Sequence, residues 1–177
     1  MNSQSKDLIA YLLSRFEINL EPIALIKLVY LSEIEAIKKY GKRFTDITFT
    51  HYRHGPYSQE LQNAYESKNF SSYNLEGKDP DLLNVLETIL AKWKPVVQGG
   101  GIQGLINKTY HTLPFQEASY NEIIDFEKYK NNKYISETVV KKKKYKQLSS
   151  PNIKLHSHKE LQSSVDEFLA LLSGLGR

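Results

Sequence analysis

The sequence predicts an α+β fold, a predominantly α-helical single domain with a small antiparallel β element. Three observations predict it. Apolar residues recur at three- and four-residue spacing in several windows of helical length. One window, residues 47–53, changes to a two-residue period rich in β-branched and aromatic types. And 177 residues can bury one respectable core but hardly two.

Taken in order, Asp7 to Phe16 reads as a first helix, with Leu8, Ile9, Leu12, Leu13 and Phe16 on one side. Residues 20–40 form the clearest helix: Glu21-Pro22 opens it, Lys38-Lys39 and Gly41 close it, and its first half is apolar nearly all round. Such a helix belongs at the centre of a fold, with Ile23, Ile26, Tyr30, Ile34 and Ile37 lining the core. Next comes the strand, where Ile47, Phe49, His51 and Arg53 alternate with Thr48, Thr50 and Tyr52, and Gly55-Pro56 is expected to end it in a rigid turn that aims His54 and Tyr57 outward. Ser58 caps a helix over 57–67 that buries Leu61 and Tyr65. After a loop over 69–80, Asp79-Pro80-Asp81 starts a helix carrying Leu82, Leu83, Leu86, Ile89, Leu90 and Trp93, which Pro95 is expected to stop. Gly99-Gly100-Gly101 breaks the chain before a short helix from Ile102 to Thr109, ended by Pro114, and EIIDFEKY within 120–129 reads as a further helix. The domain accordingly spans 1–127. Residues 128–177 form an appendage, a lysine-rich segment followed by an amphipathic helix bearing Leu161, Val165, Phe168, Leu169 and Leu172.

Composition narrows the function. Cysteine is absent, which excludes disulfides, thiolate catalysis and cysteine-ligated metal centres. No apolar run is long enough to span a bilayer, and the polar opening Met1 to Lys6 lacks the pattern of a signal peptide, so a cytoplasmic location without membrane contact is expected. The formal charge of +4 is uneven: residues 1–80 balance 10 Lys/Arg against 10 Asp/Glu, whereas residues 81–177 hold 14 against 10. Eight lysines against one glutamate fall between Lys128 and Lys146. Lys141, Lys142, Lys143, Lys144 and Lys146 are thus the candidate phosphate contacts of an alternative reading, a nucleic-acid-associated regulator, although no helix-turn-helix accompanies them. A solvated linker is the plainer reading of such a run.

Catalytic signals are thin. Gly99, Gly101 and Gly104 spell G-x-G-x-x-G without the preceding strand and long following helix that a dinucleotide site needs. The pairs His156/His158 and His51/His54 have no spacing that favours a metal over surface histidines. Thr109 and His111 supply residue types for a hydrolase or transferase but no framing motif. No cofactor is implied. Twelve tyrosines, among them Tyr52 and Tyr57 flanking Gly55-Pro56, instead supply rigid amphipathic area suited to protein contacts.

The stretch KLVYLSEIEAIKKYGKRFTDITFTHYRHGPYSQEL resembles the signature of the Panacea domain, also called the SocA-like or GepA-type antitoxin domain. The matching positions are Lys27, Leu28, Tyr30 and Leu31 in a K-L-x-Y-L helix, the Tyr40-Gly41 close, and Gly55-Pro56-Tyr57-Ser58 in the turn. A looser match continues through Thr109, His111, Pro114, Phe115 and Glu117, with Tyr110 inserted between the threonine and the histidine and Phe115 where tryptophan is usual. The resemblance covers roughly residues 5–125 and has no counterpart for the appendage. It implies a prokaryotic or phage antitoxin that neutralises a cognate toxin protein by direct contact, in some relatives as an adaptor presenting the toxin to a protease, and it requires no catalysis by this chain. His54, Gly55, Pro56, Tyr57, Tyr52 and Phe168 are the candidate partner contacts, and a homo-oligomer is a further possible assembly. Lys27, placed on the most apolar helix, should find a carboxylate or carbonyl partner, since an unpaired buried ammonium is costly.

Overall fold

The computed structural model describes residues 1–68, 70, 79–130 and 135. The chain divides into two compact units, Met1–Val139 and Val140–Arg177, and every described residue lies in the first. Six helices and a two-stranded antiparallel sheet make up the described part, the mostly helical α+β class that the periodicities predict.

Helix α1 (Ser3–Ser14) starts four residues before Asp7 because the Asn2 side chain caps it, accepting from the Ser5 amide at 2.8 Å. Ser5 is itself buried and donates to Asp46 at 2.6 Å, so the polar start is anchored rather than frayed. Helix α2 (Pro22–Tyr40) is the centre of the fold: residues from Ala24 through Ile34 are buried without a break, and α1, the third to fifth helices and the second strand all pack on it. Ile26, Tyr30, Ile34 and Ile37 line the core as expected, while Ile23, in the first turn, is only half-buried. Gly41 closes α2 with φ +66°, the left-handed cap that glycine adopts without a Cβ penalty.

The chain then leaves α2 on a buried polar anchor. Glu33, fully buried on α2, accepts from Arg43 Nε and from the Thr45 amide, each at 2.8 Å. Arg43 also donates to the Ile47 carbonyl and lies over the Phe126 ring. Ile47 and Phe49 point into the core with exposed Thr48 between them, the period-two pattern read from the sequence, but paired strand is confined to β1 (Thr50–Tyr52). Gly55-Pro56 does not end the sheet: it belongs to β2 (Gly55–Tyr57), which pairs back with Tyr52 opposite Gly55 and Thr50 opposite Tyr57. The loop is therefore Arg53-His54. The one left-handed residue of the hairpin is Gly55, φ +89°, immediately after that loop.

Ser58 caps α3 (Gln59–Glu66), which buries Leu61, while the Tyr65 hydroxyl donates to the Leu20 carbonyl at 2.7 Å. Asp79 caps α4 (Pro80–Gln98), which supplies Leu82, Val85, Leu86, Ile89, Leu90 and Trp93 to the core. Pro95 does not stop α4. It lies on the exposed face, as does Ala91, whose carbonyl the missing proline N–H leaves to water, and the helix runs on to bury Val97. The glycines end it instead: Gly100, φ +79°, donates to the Val97 carbonyl and Gly101 to that of Val96, a Schellman closure. They join two helices, with α5 (Ile102–Tyr110) following, so the strand a dinucleotide loop requires is replaced by helix.

Pro114 does not terminate α5. It sits in the first turn of α6 (Leu113–Glu117), where its absent N–H costs nothing. The expected helix over 120–129 is also overturned. Glu122 to Ile124 run alongside β1 in extended form after the left-handed Asn121, followed by a short 3-10 turn at Glu127–Tyr129. Glu122 and Ile123 face out, Ile124 and Phe126 face in, with Asp125 exposed between them, a strand alternation that propensity for Glu and Ile in helices obscures. Beyond it, Ile135 is fully buried and its carbonyl accepts from the Leu113 amide at 3.1 Å.

Candidate functional site

The hairpin is held down from below by Lys27 of α2. Lys27 is 3% exposed and donates to the Pro56 carbonyl at 2.8 Å. A carbonyl is thus the partner its burial demands, and burial pushes its pKa down to about 7. Gly55 is packed against it so closely that a Cβ there would lie 3.0 Å from Lys27 Nζ and 2.9 Å from Thr109 Oγ1. One helix turn on, the buried Tyr30 hydroxyl meets Thr112 Oγ1 at 2.7 Å. Because Thr112 gives its one proton to the Thr109 carbonyl, Tyr30 is the donor. Leu31 is buried beside it in the core. Lys27, Gly55, Pro56, Tyr30 and Thr109 thus form one buried joint between α2, the hairpin and α5.

Above the joint lies an aromatic face, half-buried at Tyr52 and Tyr57 and exposed at Tyr120. Thr50 pairs with Tyr57 on one side and with Ile123 on the other, so these three side chains, and Tyr52 two residues along, project to the same side. Tyr52 is the centre: the Tyr120 ring stacks on it at 5.9 Å and 16°, and the Tyr57 ring stands 5.7 Å away. Tyr120 is 58% exposed and Ile123 67%. The underside is tied to the scaffold. His51 Nδ1 donates to the Ala118 carbonyl at 2.7 Å and its ring lies on buried Phe115. The Tyr110 hydroxyl donates to the Arg53 carbonyl at 3.0 Å, fixing the hairpin tip to α5.

Asn121 and Glu122 both stand opposite His51: the Asn121 amide donates to the His51 carbonyl and the His51 amide to that of Glu122, each at 2.8 Å. This is a β-bulge, with Asn121 at φ +65° in the left-handed position usually taken by glycine. It re-aims the chain so that Tyr120 turns back over Tyr52.

The structure therefore joins Tyr52 and Tyr57 to Tyr120 and Ile123, two face residues that the sequence reading did not single out. For Ile123 the signal was the outward half of the alternation over 123–126, whereas Tyr120 lies outside it. His54 does not project freely. It is half-buried, and burial, then Arg53, then Lys27 hold its pKa below the ordinary value. Gly55 and Pro56 are buried under the face rather than presented on it. Thr109 and His111 point to different tasks: the Thr109 hydroxyl is buried and donates to the Ile106 carbonyl, whereas exposed His111 uses Nδ1 on the Asn107 carbonyl of its own helix. Pro114 is buried in α6. Phe168, the histidines 156 and 158, and Lys141, Lys142, Lys143, Lys144 and Lys146 lie outside the described residues. Among the described residues no helix is long and apolar enough to cross a membrane.

No curated protein and no solved structure matches the chain. Residues 25–92 match the model of one family, antitoxin SocA-like, Panacea domain. The matched span holds Lys27, Tyr30, Leu31 and the whole hairpin, while Thr109, His111 and Pro114 lie beyond it. Across residues 25–92, the span in which Lys27 anchors the hairpin from α2, the chain is thus similar to the SocA-like Panacea antitoxin domain.

Proposed function

We propose that the chain is the antitoxin of a toxin–antitoxin pair and neutralises its toxin by direct protein contact, through the aromatic face of the hairpin, without catalysis of its own. The observation that carries this reading is the grouping of half-buried Tyr52 and Tyr57 with exposed Tyr120 and Ile123 on one face over the family-motif joint. Large, stiff aromatic groups bury much area at low entropic cost, which is why they dominate the energetics of protein interfaces. Rigid support from Lys27, His51 and Tyr110 leaves little ordering cost to be met on binding. A protease that receives the toxin from this chain, or a second copy of the chain, is compatible with the same contact mode.

The test is to express the adjacent gene alone, with this chain, and with its Tyr52→Ser/Tyr120→Ser variant. Toxicity relieved by the parent chain through a co-purifying complex, and not relieved by the variant although it unfolds within about 1 kcal/mol of the parent, is the expected result. Full neutralisation by the variant, or a harmless neighbour that forms no complex, overturns it.

A further inference from the structure

The sheet ends differently at its two edges. The His51 amide donates to the Glu122 carbonyl and its carbonyl accepts from the Asn121 amide. The alternation of an antiparallel ladder therefore turns the peptide groups of Thr50 and Tyr52 toward β2, and those of Pro56, opposite His51, away from it. On that outer side Pro56 has no N–H to give, and its carbonyl already accepts from Lys27 at 2.8 Å. Within β2 this edge offers a further strand nothing. The opposite edge is open. The Glu122 carbonyl and the Ile124 amide are engaged by His51 and Phe49, each at 2.8 Å, and the same alternation turns the N–H and C=O of Ile123 away from β1. Neither group has a partner among the described residues, and Ile123 is 67% exposed. The lysines and prolines that commonly blunt such an edge are absent from residues 119–124.

We propose that this edge receives an extended segment of the partner protein, which joins the sheet as a further strand by pairing with the N–H and C=O of Ile123. The inference rests on the direct-contact reading above and says how that contact is made. The residue opposite Ile123 continues the cross-strand row Tyr57–Thr50–Ile123, where a β-branched or aromatic side chain packs best. Left-handed Asn121 ends the extended run, so the added strand is short and draws the rest of its affinity from side chains laid on the aromatic face. A second copy of the chain is the poorer occupant. Self-pairing centred on Ile123 sets Glu122 of one copy diagonally across from Glu122 of the other, a like-charge contact.

Amide exchange in the full-length chain, followed by NMR, is the test. In the free chain the Ile123 amide should exchange fast beside protected Ile124 and His51 amides. The probe is a short capped peptide alternating threonine and valine, with a lysine at each end for solubility. Its control is the same peptide with every amide N-methylated, which keeps the side chains and loses the donors. With nine-tenths of the chain in complex, exchange at Ile123 should slow about tenfold, because it then waits on release. The methylated peptide should leave it unchanged. Ile123→Thr keeps the N–H and should bind within about threefold of the parent. Ile123→Pro removes that N–H without breaking a bond of the fold and should abolish binding while Ile124 and His51 stay protected. If their protection is lost as well, the methylated peptide on the parent chain decides. No slowing at Ile123 at any soluble peptide concentration, equal slowing with the methylated peptide, or Ile123→Thr as weak as a folded Ile123→Pro overturns the proposal. So does an Ile123 amide already protected in the free chain at high protein concentration, the mark of a second copy. The growth assay with Tyr52→Ser/Tyr120→Ser is scored separately, so a toxin held through side chains alone is told apart from a chain that binds no toxin.

Discussion

At the residue scale, Lys27 explains why a lysine sits in the most apolar helix of the chain. Its ammonium reaches the Pro56 carbonyl and nothing in the joint offers it a carboxylate, so burial governs its titration and brings its pKa down to about 7. In the unfolded chain the same amine titrates near 10.4. Between these values the unfolded state binds a proton that the folded state lacks, so stability rises with pH from about 7 towards 10, by roughly 3 kcal/mol between pH 7 and 9.5. Below pH 7 both states hold the proton and Lys27 adds no slope. Above pH 10 the sign turns, because burial holds the Tyr30 phenol above its ordinary value and the folded state keeps protons that the unfolded state loses. Urea unfolding at pH 7, 8 and 9.5 should show the rise in the parent chain and a flat profile in Lys27→Met. A parent profile that is also flat would show that Lys27 keeps its charge inside the fold. Gly55 is the second fixed point of the joint. Alanine there meets both a left-handed φ and the Lys27 and Thr109 side-chain tips, so Gly55→Ala should cost about 2–4 kcal/mol. Adding Thr109→Ala removes the nearer of those contacts, and the double variant should lose less than the sum of the two single losses in an unfolding cycle.

At the scale of elements, what could be read from the sequence and what could not follow one division. Elements that carry their own start and stop chemistry were legible: α2 between Pro22 and Gly41, α3 behind Ser58, the start of α4 at Asp79. Elements defined by a partner were not. Pro95 was misjudged because a proline is tolerated where its lost hydrogen bond faces water, and exposure is set by the packing of the whole helix. The segment 122–124 was misjudged because its extended form comes from hydrogen bonds to Phe49 and His51, more than seventy residues away in sequence. The face inherits the same division: Tyr52 and Tyr57 were found through the local glycine-proline signal, while Tyr120 and Ile123 required that distant pairing. Asn121 is where the pairing is most exposed to substitution. Its left-handed φ is affordable for Asn and free for Gly, so Asn121→Gly should leave stability within a few tenths of a kcal/mol, whereas the β-branched Asn121→Val should cost about 2 kcal/mol and loosen Tyr120 from Tyr52. Thermal unfolding gives the first quantity, and the ring contacts of Tyr120 by NMR give the second.

At the scale of the molecule, the question is where the folding unit stops. The core does not close at α6: Phe126 lies against Tyr30 and Phe49, Tyr129 is buried and donates to Glu117, and Ile135, fully buried, accepts from the Leu113 amide at the start of α6. A chain ending after Val139 retains all of these contacts, and one ending after Lys130 loses Ile135 and leaves the Leu113 amide without that acceptor. Burial of one isoleucine and one backbone hydrogen bond together make the shorter chain less stable by about 3 kcal/mol, with α6 the first element to open. The 1–139 chain should unfold in one cooperative transition by circular dichroism, and the 1–130 chain should show both a lower midpoint and faster amide exchange in α6. The longer truncation also separates the two functional readings of this protein. It removes Lys141 to Lys146 and Phe168 while leaving the hairpin face untouched, so salt-sensitive retention on DNA, if the chain has any, should vanish. Neutralisation that survives in the 1–139 chain assigns the toxin contact to residues 1–139, and neutralisation that is lost although that chain remains folded moves the contact to residues 140–177.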